Sequence, residues 1–88
     1  MDRLEEARYT INEIDKEMAR LFEKRMAAVK QIAEYKQERG VPVLDTGREK
    51  LVLERNSQYV QDDTVRSFYI CYLQNTMDVS KQYQHKIL

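Results

Sequence analysis

The sequence predicts an all-α fold of three helices, the first of them very long. Three observations carry that prediction. Two Gly and one Pro among 88 residues are too few turn-formers for a sandwich or a barrel. Apolar residues recur from Leu4 to Tyr35 at alternating spacings of about four and three, the period of a helix face. The one cluster of breakers, Gly40, Pro42, Asp45, Thr46 and Gly47, falls near mid-chain and ends that pattern.

The first helix is expected over Asp2 to Arg39, a stretch without Gly or Pro. Its stripe is Leu4, Ala7, Ile11, Ile14, Met18, Leu21, Ala28, Ile32 and Tyr35, heptad-like with one gap. Gly40 is placed to stop it, with Lys36 and Arg39 in the last turn. Asp45 or Thr46 can cap a second helix, and Thr46-x-x-Glu49 has the spacing of a capping box. That helix is expected to stop near Ser57 to Tyr59. Asp62 or Asp63 is expected to cap a third helix, whose stripe reads Val65, Phe68, Tyr69, Tyr72, Leu73, Thr76, Val79 and Tyr83.

No repeat or long linker divides the chain, so residues 1–88 are expected to form a single domain. The length of the first helix bears on assembly. Some 37 residues at about 1.5 Å each make a rod of roughly 55 Å. A globule of this chain length has a radius of gyration of about 12 Å. The remaining residues cannot cover such a rod, so its stripe calls for a second copy, a homodimer that shares its core.

Charge and composition narrow the function. Fifteen Lys+Arg balance fifteen Asp+Glu, which argues against a protein built to coat nucleic acid. The longest apolar run, Phe68 to Leu73, is far short of a membrane span. The start, MDRLEEAR, has no apolar signal region, and a cytoplasmic location is expected. A lone Cys71 forms no internal disulfide and nucleates no zinc cluster. There is no Ser/His/Asp or Cys/His set, no metal-ligand spacing and no Gly-rich phosphate loop. No cofactor and no metal are expected, and His85 reads as a surface residue.

A few residues break the pattern. Counting by sevens from Leu4 gives Ile11, Met18, Arg25 and Ile32, so a guanidinium sits on the apolar stripe. It is either a snorkelling or paired arginine or part of an anion site inside the bundle. Lys36 follows eleven residues later, about 20° round the helix and roughly 16 Å along it. The two basic side chains can converge on one small ligand. Arg8, about 25 Å from Arg25 along the helix, could join that site only from a second, antiparallel copy. Asp45-x-x-Arg48-Glu49 opens the second helix and, taken alone, reads as capping plus surface charge rather than as part of a site. On the third helix Leu73, Met77, Ser80 and Gln84 make a side stripe, in which Ser80 and Gln84 either face one ligand or form a solvated face. Basic and polar groups of this kind suit carboxylates and developing negative charge.

Taken in order, these residues resemble the all-helical AroQ class of chorismate mutases over nearly the whole chain. The match opens with Arg8-Tyr-Thr-Ile-Asn-Glu-Ile-Asp, a form of the family's R-x-x-I-x-x-[IL]-D start. It continues through LFEKRMAAVKQIAEYK and PVLDTGREKLVLER and closes with MDVSKQYQ, similar to the family's Ser-x-x-x-Gln ending. The resemblance implies an intertwined homodimer of three-helix chains that rearranges chorismate to prephenate on the way to Phe and Tyr. It implies that Arg25, and Arg8 supplied across the interface, each hold a carboxylate of chorismate. Lys36 would contact the ether oxygen and a carboxylate, and Gln84 would donate to the ether oxygen. Asp45 and Glu49 would contact or orient the ring hydroxyl, Arg48 would help hold the site together, and Ser80 would sit beside the ring carboxylate. Two alternatives stay open: a relative of the isochorismate-pyruvate lyase type, and a non-catalytic helical dimerisation or regulatory module. The Asp45-x-x-Arg48-Glu49 set looks more like the mutase, and an arginine at position 25 is a poor choice for a pure zipper. No added catalytic or effector-binding domain is expected in a chain of this length, so any feedback control is expected to come through a partner.

Overall fold

Asp2 begins the first helix by accepting a hydrogen bond from the backbone N–H of Glu5 at 2.8 Å, with Glu5 and Glu6 placed favourably in the first turn. Helix α1 then runs unbroken over Arg3–Arg39, 37 residues. Its end has a local cause. Gly40 takes the left-handed conformation (φ 66°) and donates to Gln37 O, while Val41 N–H donates to Lys36 O at 2.9 Å. That pair of bonds satisfies two of the last carbonyls, and the left-handed backbone between them suits glycine. The computed structural model describes residues 2–88.

Helix α2 spans Thr46–Ser57. Its cap is Asp45, whose carboxylate accepts from Arg48 N–H at 2.9 Å, and Thr46 is the first helical residue rather than the capping member of a box. Helix α3 spans Arg66–Ile87. The expected caps for α3 are corrected by the structure. Val65 stands at the cap position and no side chain caps the helix there. Asp62 instead closes the preceding turn, accepting from Thr64 N–H at 2.9 Å and Thr64 Oγ1 at 2.6 Å. Asp63 pairs with the Arg66 guanidinium. Arg66 also donates to the carbonyls of Ser57 at 3.2 Å and Val60 at 3.1 Å, so the start of α3 closes the end of α2.

All regular structure among the described residues is helical. Helix α3 packs against both α1 and α2, which do not pack on each other. The core is correspondingly small: Val29 and Ala33 from α1, Leu73 and Met77 from α3. It lies at the C-terminal half of α1, and residues 2–24 are exposed throughout. Leu4, Ile11, Ile14 and Leu21 each show about half of their surface or more. The chain measures 55 × 25 × 15 Å with a radius of gyration of 16.2 Å, well above the roughly 12 Å of a compact globule of this length. The stripe expected to be the inner face of α3 is mostly outside, with Phe68 74% exposed and Tyr72 52%. The buried face of α3 is the side stripe, Leu73, Met77, Ser80 and Gln84, because that face meets α1 and α2.

Candidate functional site

The three helices enclose an open cavity of about 440 Å³, within the range of small-molecule sites. Seven of the eight residues singled out from the sequence line it: Arg25 and Lys36 from α1, Asp45, Arg48 and Glu49 from the head of α2, and Ser80 and Gln84 from α3. Apolar side chains of Val29, Ile32, Val52 and Met77 complete the wall. Arg8 is not among the lining residues. It lies on the exposed N-terminal half of α1, seventeen residues and about 25 Å before Arg25.

Several of the polar groups are held by their surroundings. Arg25 is half-buried and donates from Nη1 to Ser80 Oγ, and Ser80 donates in turn to Thr76 O at 3.0 Å. Ser80 is only 6% exposed, so the reading of this residue as part of a solvated face gives way. It is carried inward because Leu73 and Met77 on the same stripe bury against α1. Lys36, also half-buried, donates from Nζ to Val43 O at 2.9 Å, tying the end of α1 to the loop before α2. An ammonium has three donors, so two remain. Asp45 uses one oxygen as the α2 cap, which fixes its carboxylate at the cavity edge.

Gln84 is 6% exposed and its Oε1 has no partner among the described residues. A buried amide oxygen left unpaired costs roughly 1–3 kcal/mol. A half-turn of the amide about its last bond exchanges Oε1 and Nε2, so the group can offer either an acceptor or an N–H donor to a molecule in the cavity.

Glu49 is held most firmly of all. Its Oε1 accepts from Gln74 Nε2 at 3.2 Å and from Lys81 Nζ at 3.1 Å, and Lys81 also reaches Oε2 at 3.3 Å. Lys81 and Gln74 further engage Asp78 at 3.3 and 3.0 Å. The pairing with Glu49 raises the Lys81 ammonium above the ordinary lysine range, against a smaller opposing effect of desolvation. Hydrogen bonds from Gln74 and Lys81 lower the Asp78 carboxyl below its usual range.

Sequence reasoning did not find Lys81, Gln74, Arg55 or Asn56, although Lys81, Arg55 and Asn56 line the cavity. The one sequence signal for the first two is Gln74-x-x-x-Asp78-x-x-Lys81, a polar face at helical spacing beside Ser80. No group of three or more His, Cys, Asp or Glu among the described residues could hold a metal ion. Among the described residues no helix is long and apolar enough to cross a membrane.

The arrangement is an open, cationic cavity with fixed donors and one firmly held carboxylate, able to grip a small dianion and to steady negative charge that develops within it. A chorismate mutase of Methanocaldococcus jannaschii is 32% identical to this chain over 65 residues, which cover 74% of the chain. The matched stretch spans 66% of that relative's length, just under two thirds. No solved structure gives a significant match. The family described as chorismate mutase type II matches residues 7–85, the stretch that carries α2, nearly all of α1 and α3, and every one of the cavity residues above, and to that family this chain belongs.

Proposed function

We propose that the chain catalyses the rearrangement of chorismate to prephenate, the step toward Phe and Tyr, as an intertwined homodimer in the cytoplasm. On this reading the 88 residues act as one domain, and Arg8 of the partner subunit completes each site. The observation that carries the reading is the convergence of Arg25, Lys36, Arg48, Glu49, Ser80 and Gln84 on one cavity. The lone, unpaired Cys71 fits a reducing compartment.

The chemistry suits what these residues offer. Chorismate carries two carboxylates and an enolpyruvyl ether on one ring. In the rearrangement a C–O bond breaks as a C–C bond forms, within one molecule, and no proton need move. The obstacle is conformational: the side chain must lie over the ring with two like charges brought together. Arg25, steadied by Ser80, holds one carboxylate, and Arg8 of the partner subunit holds the other, which replaces repulsion by two charge-assisted pairs. Negative charge grows on the ether oxygen as its bond to the ring breaks. Lys36, anchored through Val43 O, and Gln84, turned to present its N–H, stabilise that oxygen more in the transition state than in the ground state. Glu49 accepts from the ring hydroxyl and fixes which face of the ring is presented. Asp45 orients the same hydroxyl, and Arg48 holds the edge of the site.

The test is incubation of the purified chain with chorismate and, separately, isochorismate, with products identified. Prephenate from chorismate is the expected result. Pyruvate released from isochorismate, with chorismate untouched, would assign the lyase chemistry instead. No turnover of either by a folded dimer would leave a non-catalytic module.

A further inference from the structure

The mutase reading leaves two charged side chains of the cavity without a role, Arg55 and Lys81, and of these Lys81 is the one engaged with a residue of the site. Lys81 follows Ser80 on α3 and is the one cation of the site whose ammonium is already engaged by a carboxylate. Its partner Glu49 has a side chain only 18% exposed, against 26% for Lys81. Together with Gln74 it gives the Glu49 carboxylate three contacts: two donors on Oε1 and one long contact on Oε2. An ionised carboxylate has about four acceptor positions. One is therefore left, on Oε2, in a residue that lines the cavity.

The neighbours explain why such a clamp matters. From α1, Arg25 and Lys36 face the same space, and from α2 itself, Arg48 and Arg55 do. A mobile carboxylate on a three-torsion side chain would pair with one of these cations and neutralise a group that a dianionic substrate requires. Gln74 alone, a neutral donor at 3.2 Å, is a weaker restraint than an ammonium reaching both oxygens. Asp78 braces the ammonium from its own helix at 3.3 Å, so the clamp spans α2 and α3 and is fixed at the α3 end.

We propose that Lys81 is a positioning residue that holds Glu49 away from the cavity's arginines, so that Oε2 keeps one acceptor for a free ring hydroxyl of the substrate. Lys81 thereby sets selectivity for hydroxyl-bearing substrates without touching the reacting atoms. This rests on the chorismate reading; the ring hydroxyl is not at the breaking or forming bond, so its contact with Glu49 is taken as equal in ground and transition states. Loss of such uniform binding raises KM and leaves kcat nearly unchanged.

The experiment compares the wild-type chain, Lys81→Met, Lys81→Arg, Glu49→Gln and the Lys81→Met/Glu49→Gln double variant, with chorismate and its ring-hydroxyl methyl ether as substrates. Lys81→Met is expected to raise KM for chorismate about 10-fold, with kcat changed by less than about threefold. Lys81→Arg should restore KM to within about threefold, since a guanidinium can also reach both oxygens. In the Glu49→Gln background the Lys81→Met change should add little, because its effect passes through Glu49. Wild type should prefer chorismate to the methyl ether, and Lys81→Met should lose most of that preference. If Lys81→Met fails to fold, Lys81→Gln, which leaves one donor, is read in its place with the same expected direction. An active wild type whose Lys81 variants keep KM and selectivity overturns this proposal alone, as does a kcat loss at unchanged KM. A folded wild type that leaves chorismate unchanged removes the mutase reading, and this proposal with it.

Discussion

If Arg8 and Arg25 serve one site from different chains, two inactive variants should restore activity when mixed. The cavity's lining on α1 runs from Arg25 to Lys36, and Arg8 lies about 25 Å away toward the other end of the rod. No side chain bridges that span within one chain. Arg8→Ala and Arg25→Ala should each lower kcat/KM by about 10²–10³-fold, the loss expected when one preorganised charge-stabilising donor is removed. In a two-fold dimer each cavity takes Arg25 from one chain and Arg8 from the other. A heterodimer of the two variants therefore holds one cavity with both substitutions and one with neither. Equal mixing with free exchange makes about half of the dimers heterodimers, each with one intact cavity of two, so activity should recover to about a quarter of wild type. That rise stands far above the level of either variant alone. The assay mixes the two chains, confirms exchange by separating a tagged hybrid, and follows chorismate consumption against the hybrid fraction. Hybrids formed in the expected amount with activity still at the single-variant level would refute the shared cavity. So would an Arg8→Ala chain with full activity.

Other outcomes follow from the same geometry. Arg25→Met should leave the fold intact, because Ser80 keeps its bond to Thr76 O and a half-buried charge is replaced by apolar packing, yet activity should nearly vanish; retention of activity would make Arg25 structural. The unfolding midpoint should rise with protein concentration, since the apolar stripe of residues 4–21 is exposed in the single chain; a midpoint constant over a wide concentration range, with a folded species of monomer mass in sedimentation, would contradict the dimer. Gln84→Glu should be much more active in acid than near neutrality, because a carboxyl donates to the ether oxygen only while protonated and repels that oxygen once ionised; a variant that tracks the parent at every pH, with both folded, would move Gln84 away from the breaking bond.

What could be read in advance, and what could not, follows the range of each interaction. The end of α1 depends on Gly40 acting on backbone a few positions away, so it is visible in the sequence; at the other end Asp2 caps the helix through Glu5 N–H rather than opening it as the expected first helical residue. The start of α3 is different. It is fixed by Arg66 reaching back to the carbonyls of Ser57 and Val60, contacts that leave no cap residue to recognise, and the nearby aspartates serve a turn and an ion pair instead. In the cavity, Arg25 stood out because a charge interrupts an apolar stripe. Lys81 did not, because its partner Glu49 is 32 positions away and a lysine one residue past a helix's inner face looks like any surface lysine. Ser80 and Gln84 share their face with Leu73 and Met77, and only the packing of that face against α1 and α2 decides that they are buried.

The bond from Lys36 to Val43 O has a consequence for the timing of entropy loss. A free lysine stem forfeits roughly 1.5–2 kcal/mol of rotamer freedom when it is arrested. Here that arrest happens as the chain folds, when the ammonium closes the short segment from Gly40 to the head of α2 over the end of α1. An arriving ligand meets a cation already at rest, with two N–H groups still to give. The association step is relieved of that ordering, and the burden falls on the conformational stability of the protein before any ligand is present.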